Sequence, residues 1–154
     1  MEKYLQRGVS AGKEEVHSAV SNLYHGLYPK AFCKVFPDIL GGNDSYVNAM
    51  SSDGSGTKSV LAYLYRKETG DASVWQGIAQ DALVMNLDDL VCIGATDSFL
   101  FTSIVNRNKH LITGEDIAQI IQGSNEFCKR MAALGIHIHF MGGETADLGD
   151  VVRT

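Results

Sequence analysis

The stretch from Asp81 to Ala95, DALVMNLDDLVCIGA, is apolar on nearly every side of a helix and yet carries three carboxylates. A helix of that kind belongs mostly inside a protein, so other elements have to cover it. Asp81 and Asp88 stand seven residues apart, two turns, and share a face, with Asp89 beside it. Ionised carboxylates buried without partners would normally neutralise. A bound cation removes that penalty, and hard oxygen ligands suit Mg²⁺. Asp81 or Asp88 taken singly is equally well explained by a solvent-facing position or a lysine partner. For Asp89, set between Leu87 and Leu90-Val91, a role in a site is the favoured reading.

Around this segment the periodicity predicts a mixed α/β (α+β) fold, a small sheet with helices packed on one face. Val16, Val20, Leu23 and Leu27 predict a helix over 12–27, and the alternation of 45–51 predicts a strand. A helix from Ser59 to Glu68 follows, stopped by Gly70, and the central helix extends over 74–93 to Gly94. Residues 98–105 read as a strand. Thr113 is the expected N-cap of a helix over 114–134, with Glu115 and Asp116 at the positive end of its dipole. Gly135 ends that helix, and 136–141 form a further strand before the turn Gly142-Gly143-Glu144-Thr145. The final Val151-Val152-Arg153-Thr154 resembles the start of another strand, so residues 1–154 are expected to be one domain of a longer protein.

A chain of 154 residues with 45% hydrophobic and 20% charged residues is long enough for one globular core. Its net charge of -5, with Lys and Arg scattered, argues against nucleic acid or an anionic membrane as a partner. Cys33, Cys92 and Cys128 form no CxxC pair; Cys92 and Cys128 lie in apolar helical patterns and are expected to be buried and reduced. With no apolar signal core and no run long enough to span a bilayer, the expected location is the cytoplasm, with no membrane partner.

Two glycine-bearing segments add to the acidic helix. Asp53-Gly54-Ser55-Gly56-Thr57-Lys58 lies after a strand and before a helix. Its glycines let backbone approach an anion, the helix offers free N–H groups, and Lys58 supplies a point charge. It is neither a Walker loop, since Thr57 precedes the lysine, nor G-x-G-x-x-G; by general rules it is equally well a tight turn. Gly142-Gly143-Glu144-Thr145, also at a strand end, offers a further acid or forms a surface turn. His137 and His139 alternate on one strand face and read as sheet surface. His17, His25 and His110 are isolated, and Trp75 reads as a packing anchor.

Asp53 to Lys58, Asp81 to Ala95, and Gly142-Gly143-Glu144-Thr145-Ala146, together with the opening Tyr4-Leu5-Gln6-Arg7-Gly8-Val9, resemble the phosphoribosylformylglycinamidine cyclo-ligases (aminoimidazole ribonucleotide synthetases) in order and spacing. The looser pattern of Asp53, Asp89 and a Gly-Gly-acid turn is shared with formylglycinamidine synthetase, selenophosphate synthetase, thiamine-monophosphate kinase and a hydrogenase-maturation protein. The resemblance implies ATP and Mg²⁺ as cofactors and formylglycinamidine ribonucleotide as the small-molecule substrate, in purine biosynthesis. It implies Asp53, Asp89 and Glu144 as metal residues, and Asp53, Lys58 and Asp89 as catalytic ones. Gly54, Gly56, Thr57, Asp81, Gly142, Gly143 and Thr145 would line the nucleotide. It further implies a homodimer whose sheets pair into a shared barrel, and a C-terminal domain, absent here, without which this piece would not turn over. The alternatives are an ATP-using relative acting on another small molecule and a non-catalytic nucleotide-binding dimerisation module. The chain departs from the family at Ser10-Ala11-Gly12-Lys13 and at Asp88, where the family has Asn.

Overall fold

The computed structural model describes residues 2–9, 12–96 and 98–152. Short helices α1 (Glu2–Leu5) and α2 (Glu14–Val20) precede strands β1 (Val35–Pro37) and β2 (Val47–Ala49). Then come α3 (Lys58–Thr69), α4 (Val74–Val91), β3 (Phe99–Arg107), α5 (Gly114–Ala133), β4 (Ile138–Asp147) and a 3₁₀ turn at Gly149–Val151. The fold is mixed α/β, as the periodicity predicts. The strands form two separate two-stranded sheets rather than one small sheet: β1 pairs antiparallel with β2, and β3 pairs parallel with β4. Parallel neighbours need a long crossover, and α5 supplies it.

The core lies between the β3–β4 sheet and the helix pair α4–α5. Leu83 of α4, Phe127 of α5, Phe99 of β3 and Ile138 of β4 form one buried cluster, with Leu87, Leu90 and Phe101 against it. Trp75, Ala62 and Ile112 form a second, which joins α3 to α4. Trp75 is thus the packing anchor its position suggests. The other face of the sheet is open, with Leu100 and Ile104 of β3 and Met141 of β4 exposed.

A buried polar hub locks the three long helices together. Asp116, 2% exposed, accepts hydrogen bonds from Trp75 Nε1 of α4 at 3.0 Å and from Arg66 Nε of α3 at 2.9 Å. It also accepts from the Thr113 N–H and hydroxyl, both at 2.8 Å, and so reaches back over the start of its own helix. Arg66 in turn pairs with Glu115 at 2.5 Å and donates to the Gly70 carbonyl that ends α3. Thr113 is the N-cap of α5, as expected; that Asp116 is a buried hub rather than a dipole-facing surface acid is not visible in the spacing.

Four expectations need correction. The helix over 12–27 shrinks to Glu14–Val20, because its apolar stripe, Val16, Val20, Leu23 and Leu27, is exposed and has nothing to pack on. The segment at 151–154 begins inside a 3₁₀ turn instead of a strand; Arg153 and Thr154, like Ser10 and Ala11, lie outside the described residues. Cys92 is exposed at the C-cap of α4, on the outward face it shares with Asp88 and Val91, while Cys128 is half-buried. Finally, Gly142-Gly143-Glu144-Thr145 is part of β4 and not a turn. The two glycines coincide with a register shift opposite Phe101 and Ser103. Gly142 has φ +93, and a Cβ on Gly143 would stand 2.1 Å from the Ser103 carbonyl oxygen. Glycine here lets the two backbones pass through a bulge, a role unrelated to reversing the chain.

Candidate functional site

The loop 50–57 leaves β2 and lies along one side of α4 before entering α3. Three anchors hold it there. Ser51 Oγ donates to Asp89 Oδ2 at 2.6 Å. The Asp53 peptide is gripped by Asn86: its N–H donates to Asn86 Oδ1 at 3.0 Å, and its carbonyl accepts from Asn86 Nδ2 at 2.9 Å. At the far end Lys58, the first residue of α3, pairs with Asp81 at 3.0 Å. The structure therefore brings Asp53, Lys58, Asp81 and Asp89 to one surface, with Gly54, Gly56 and Thr57 in the loop among them.

The side chains at this surface are accessible. Asp53 and Lys58 are exposed, while Asp81 and Asp89 are half-buried. Asp53 Oδ1 accepts from the Gly54 N–H at 2.6 Å. Gly56 sits at φ +61 with open space where a side chain would project, a conformation that favours glycine. The Lys58–Asp81 pair is 49% and 35% exposed, so its attraction is largely screened and worth less than about 1 kcal/mol. An incoming anion can take Lys58 from Asp81 at little expense. A groove of about 420 Å³ opens beside this pair between α3 and α4, floored by Leu61, Tyr65, Val74 and Ile78.

Asp89 is held from a second direction. Cys33, buried next to β1, donates its thiol to the Asp89 carbonyl at 3.2 Å. Burial first, and then the neighbouring Asp89 charge, push the Cys33 thiol up, so it stays protonated and able to donate. Asp88 points to the exposed side of α4 together with Met85, Val91 and Cys92. The expectation that most of this helix is buried is met on the side facing the sheet and α5, and not on that opposite stripe. Asp88 is thus solvent-facing and Asp81 lysine-paired, the simpler of the two explanations weighed for each.

Glu144 stands apart from this group. It is exposed on β4, in register with Ile104, and Gly142, Gly143 and Thr145 flank it there. Among the described residues no three His, Cys, Asp or Glu side chains converge closely enough to hold a metal ion. Mg²⁺ is usually held through one or two carboxylates with water and substrate phosphates completing its shell, a donor type that Asp53 and Asp89 each supply. Ser51, Asn86 and Cys33 enter this surface without a sequence motif to mark them. Asn86 stands three residues before Asp89 on the same helix, a spacing that puts the two on one face.

The domain is a mixed α/β unit that lays an acidic, two-glycine loop on a carboxylate-bearing helix. This chain belongs to the AIR synthase related protein family: the model of that family's N-terminal domain matches residues 34–153. It is similar to the phosphoribosylformylglycinamidine cyclo-ligase of Saccharolobus solfataricus, 28% identical over 140 residues, which cover 84% of this chain and 38% of the relative. The protein of the same name from Methanocaldococcus jannaschii is 32% identical over 108 residues, 70% of this chain and 27% of its own. That of Caldicellulosiruptor bescii is 32% identical over 159 aligned residues, 96% of this chain and 41% of its own. The chain thus spans well under half the length of these relatives. No helix among the described residues is long and apolar enough to cross a membrane.

Proposed function

We propose that this chain is the N-terminal ATP- and Mg²⁺-binding domain of a cytoplasmic cyclo-ligase that converts formylglycinamidine ribonucleotide to aminoimidazole ribonucleotide in purine biosynthesis. The observation that carries the reading is the two-glycine loop held along α4, with Ser51 on Asp89, the Asp53 peptide on Asn86 and Lys58 on Asp81. Membership of the AIR synthase related family, and the likeness to proteins named phosphoribosylformylglycinamidine cyclo-ligase, support this choice of reaction.

In this reading the N–H groups at the start of α3 and the loop around Gly54, Gly56 and Thr57 face the phosphates, and Lys58 exchanges Asp81 for a phosphate oxygen. Asp53 and Asp89 would hold the metal, which would supply neutralisation of phosphate charge during transfer of the terminal phosphoryl group. That group goes to the formyl oxygen of the substrate. An internal nitrogen then attacks the same carbon, the carbon–oxygen bond breaks, and phosphate leaves as the ring closes. Glu144, with Gly142, Gly143 and Thr145, belongs to the same site only once a further element or a second copy brings them to the loop.

Two parts of the reading concern assembly. A C-terminal domain completes the substrate site, in keeping with the fraction of the relatives that this chain covers. Homodimers form by pairing β3–β4 sheets into a shared barrel, supported by the open face on which Leu100 and Ile104 are 72% and 73% exposed. Placing a charge there by Ile104→Lys is expected to convert a dimer into monomers in sedimentation; a monomeric parent chain would sink the barrel.

The direct test is ADP release by the complete enzyme with Mg·ATP, with and without formylglycinamidine ribonucleotide. Release only when that substrate is present is the expected result. Nucleotide binding with no stimulation by it would instead favour a relative with another substrate, or a non-catalytic binding module.

A further inference from the structure

Asn86 is a polar residue of α4 whose contacts to the loop the proposed chemistry leaves unexplained. Its carboxamide makes three hydrogen bonds. Oδ1 accepts from the Asp53 N–H, while Nδ2 donates to the Asp53 carbonyl and, at 2.8 Å, to the carbonyl of Ala82 one turn back. These contacts determine which way the amide points: reversed, it would set a donor against the Asp53 N–H and an acceptor against two carbonyls. The bond to Ala82 fixes the side chain on the helix, and the pair to Asp53 copies the rung that a neighbouring β-strand would form. A loop that no strand accompanies thereby gains one rigid, strand-like peptide. Gly54, whose N–H already bonds to the Asp53 carboxylate, follows it directly.

Glycine loops bind anions well only when held in place, since ordering them at the moment of binding is unfavourable. Asn86 meets Asp53 through its backbone alone, so the grip does not occupy the Asp53 carboxylate, whose Oδ1 accepts from Gly54. Ser51 and Lys58 hold the loop through side chains of groups that would themselves meet metal or phosphate, and a ligand competes with both contacts. The grip of Asn86 involves no such group and can persist through binding.

We infer that Asn86 is a positioning residue that pre-orders the Asp53–Thr57 loop for a magnesium-bound polyphosphate. The inference rests on the nucleotide reading above for its ligand, but not for its claim that Asn86 orders the loop. The test compares the wild-type chain with Asn86→Leu, which keeps the volume and removes the amide, and with Gln76→Leu. Gln76 bonds Gln119 of α5 at 2.6 Å and serves as a control for general loss of a helix hydrogen bond. Hydrogen exchange of the free chains is expected to show amides of residues 53–57 exchanging at least about tenfold faster in Asn86→Leu, with α5 and β3 unchanged and the control like the wild type. Mg·ATP titrated calorimetrically is expected to bind Asn86→Leu about tenfold more weakly than the other two, at equal melting temperature for the two variants. Unchanged loop exchange overturns the inference whatever the nucleotide does, and so does faster exchange with unaltered Mg·ATP affinity. Failure of the wild-type chain to bind Mg·ATP removes the nucleotide reading and with it the ligand half of the inference, while the exchange result still decides whether Asn86 orders the loop.

Discussion

Replacing Asp89 with Asn is expected to reduce Mg·ATP-dependent turnover of the complete enzyme by about a hundredfold to a thousandfold while leaving the fold intact. The two halves of that expectation come from different atoms of one residue. Asp89 Oδ2 accepts the Ser51 hydroxyl at 2.6 Å, and its main-chain carbonyl accepts the Cys33 thiol. An asparagine keeps the carbonyl and still offers Ser51 an acceptor oxygen, so the loop stays on α4 and stability changes by less than about 1 kcal/mol. What disappears is the charge. A cation held by two carboxylates loses half of its protein charge, and removal of one preorganised electrostatic contact in an active site typically lowers turnover by that factor, about 3–4 kcal/mol of transition-state stabilisation. Steady-state ADP release and a thermal melt, run on the same preparation, separate the effects. Wild-type turnover in Asp89→Asn would falsify the metal assignment; a collapsed melting temperature would show that Asp89 acts through the fold.

The largest effect on stability is expected at Asp116. Truncation to Ala leaves Trp75 Nε1 without an acceptor in a site where the indole is 3% exposed, frees the Arg66 guanidinium, and uncaps the start of α5. A stranded buried donor and a lost cap together give a destabilisation of about 3 kcal/mol, or roughly 10 °C in melting temperature for a chain of this length. Asp116→Asn should lose less, because an amide oxygen still meets the indole. Its pH dependence is the sharper test. Burial on its own raises the Asp116 carboxyl, but the Thr113 N–H, the Arg66 guanidinium and the Thr113 hydroxyl outweigh it and hold the group below its ordinary 3.8. The unfolded chain therefore binds the proton more readily than the folded one. The charge contributes fully above about pH 4 and is lost as pH falls through the folded value. The stability gap between wild type and Asp116→Asn, measured by denaturant titration, should be widest at neutral pH and close below pH 4. A gap that stays constant with pH would mean that the Arg66 contact adds nothing electrostatic.

Local spacing placed the long helices well, and the reason lies in their punctuation. Gly70 closes α3 at φ +76, Gly135 follows α5 at φ +86, and Thr113 caps the start of α5. Such signals depend on a few neighbouring residues and on nothing distant. The strand β1 escaped notice because Val35–Pro37 is too short to show alternation and exists only by pairing with Val47–Ala49. The double glycine of β4 misled for a related reason. A glycine pair marks unusual backbone, but whether that is a turn or a bulge depends on the strand opposite, here Ser103.

The candidate site divides along the same line. Residue type and order draw attention to Asp53, Gly54, Gly56, Lys58, Asp81 and Asp89 as candidates, because glycine, carboxylate and lysine each carry their chemistry wherever they are placed. Which of them meet is a matter of long-range contact. Only packing of the 50–57 loop on α4 joins Asp53 to Asn86 and Ser51 to Asp89 across more than thirty residues of sequence, while the same packing leaves Glu144 on a separate edge. Asp116 shows the limit most clearly. By itself it is an acid in the first turn of a helix, and only the arrival of Trp75 and Arg66 from two other helices makes it the buried hub of the domain. Periodicity and capping are local and survive in the bare sequence, whereas partnership between polar groups depends on distances that exist only after the chain has closed.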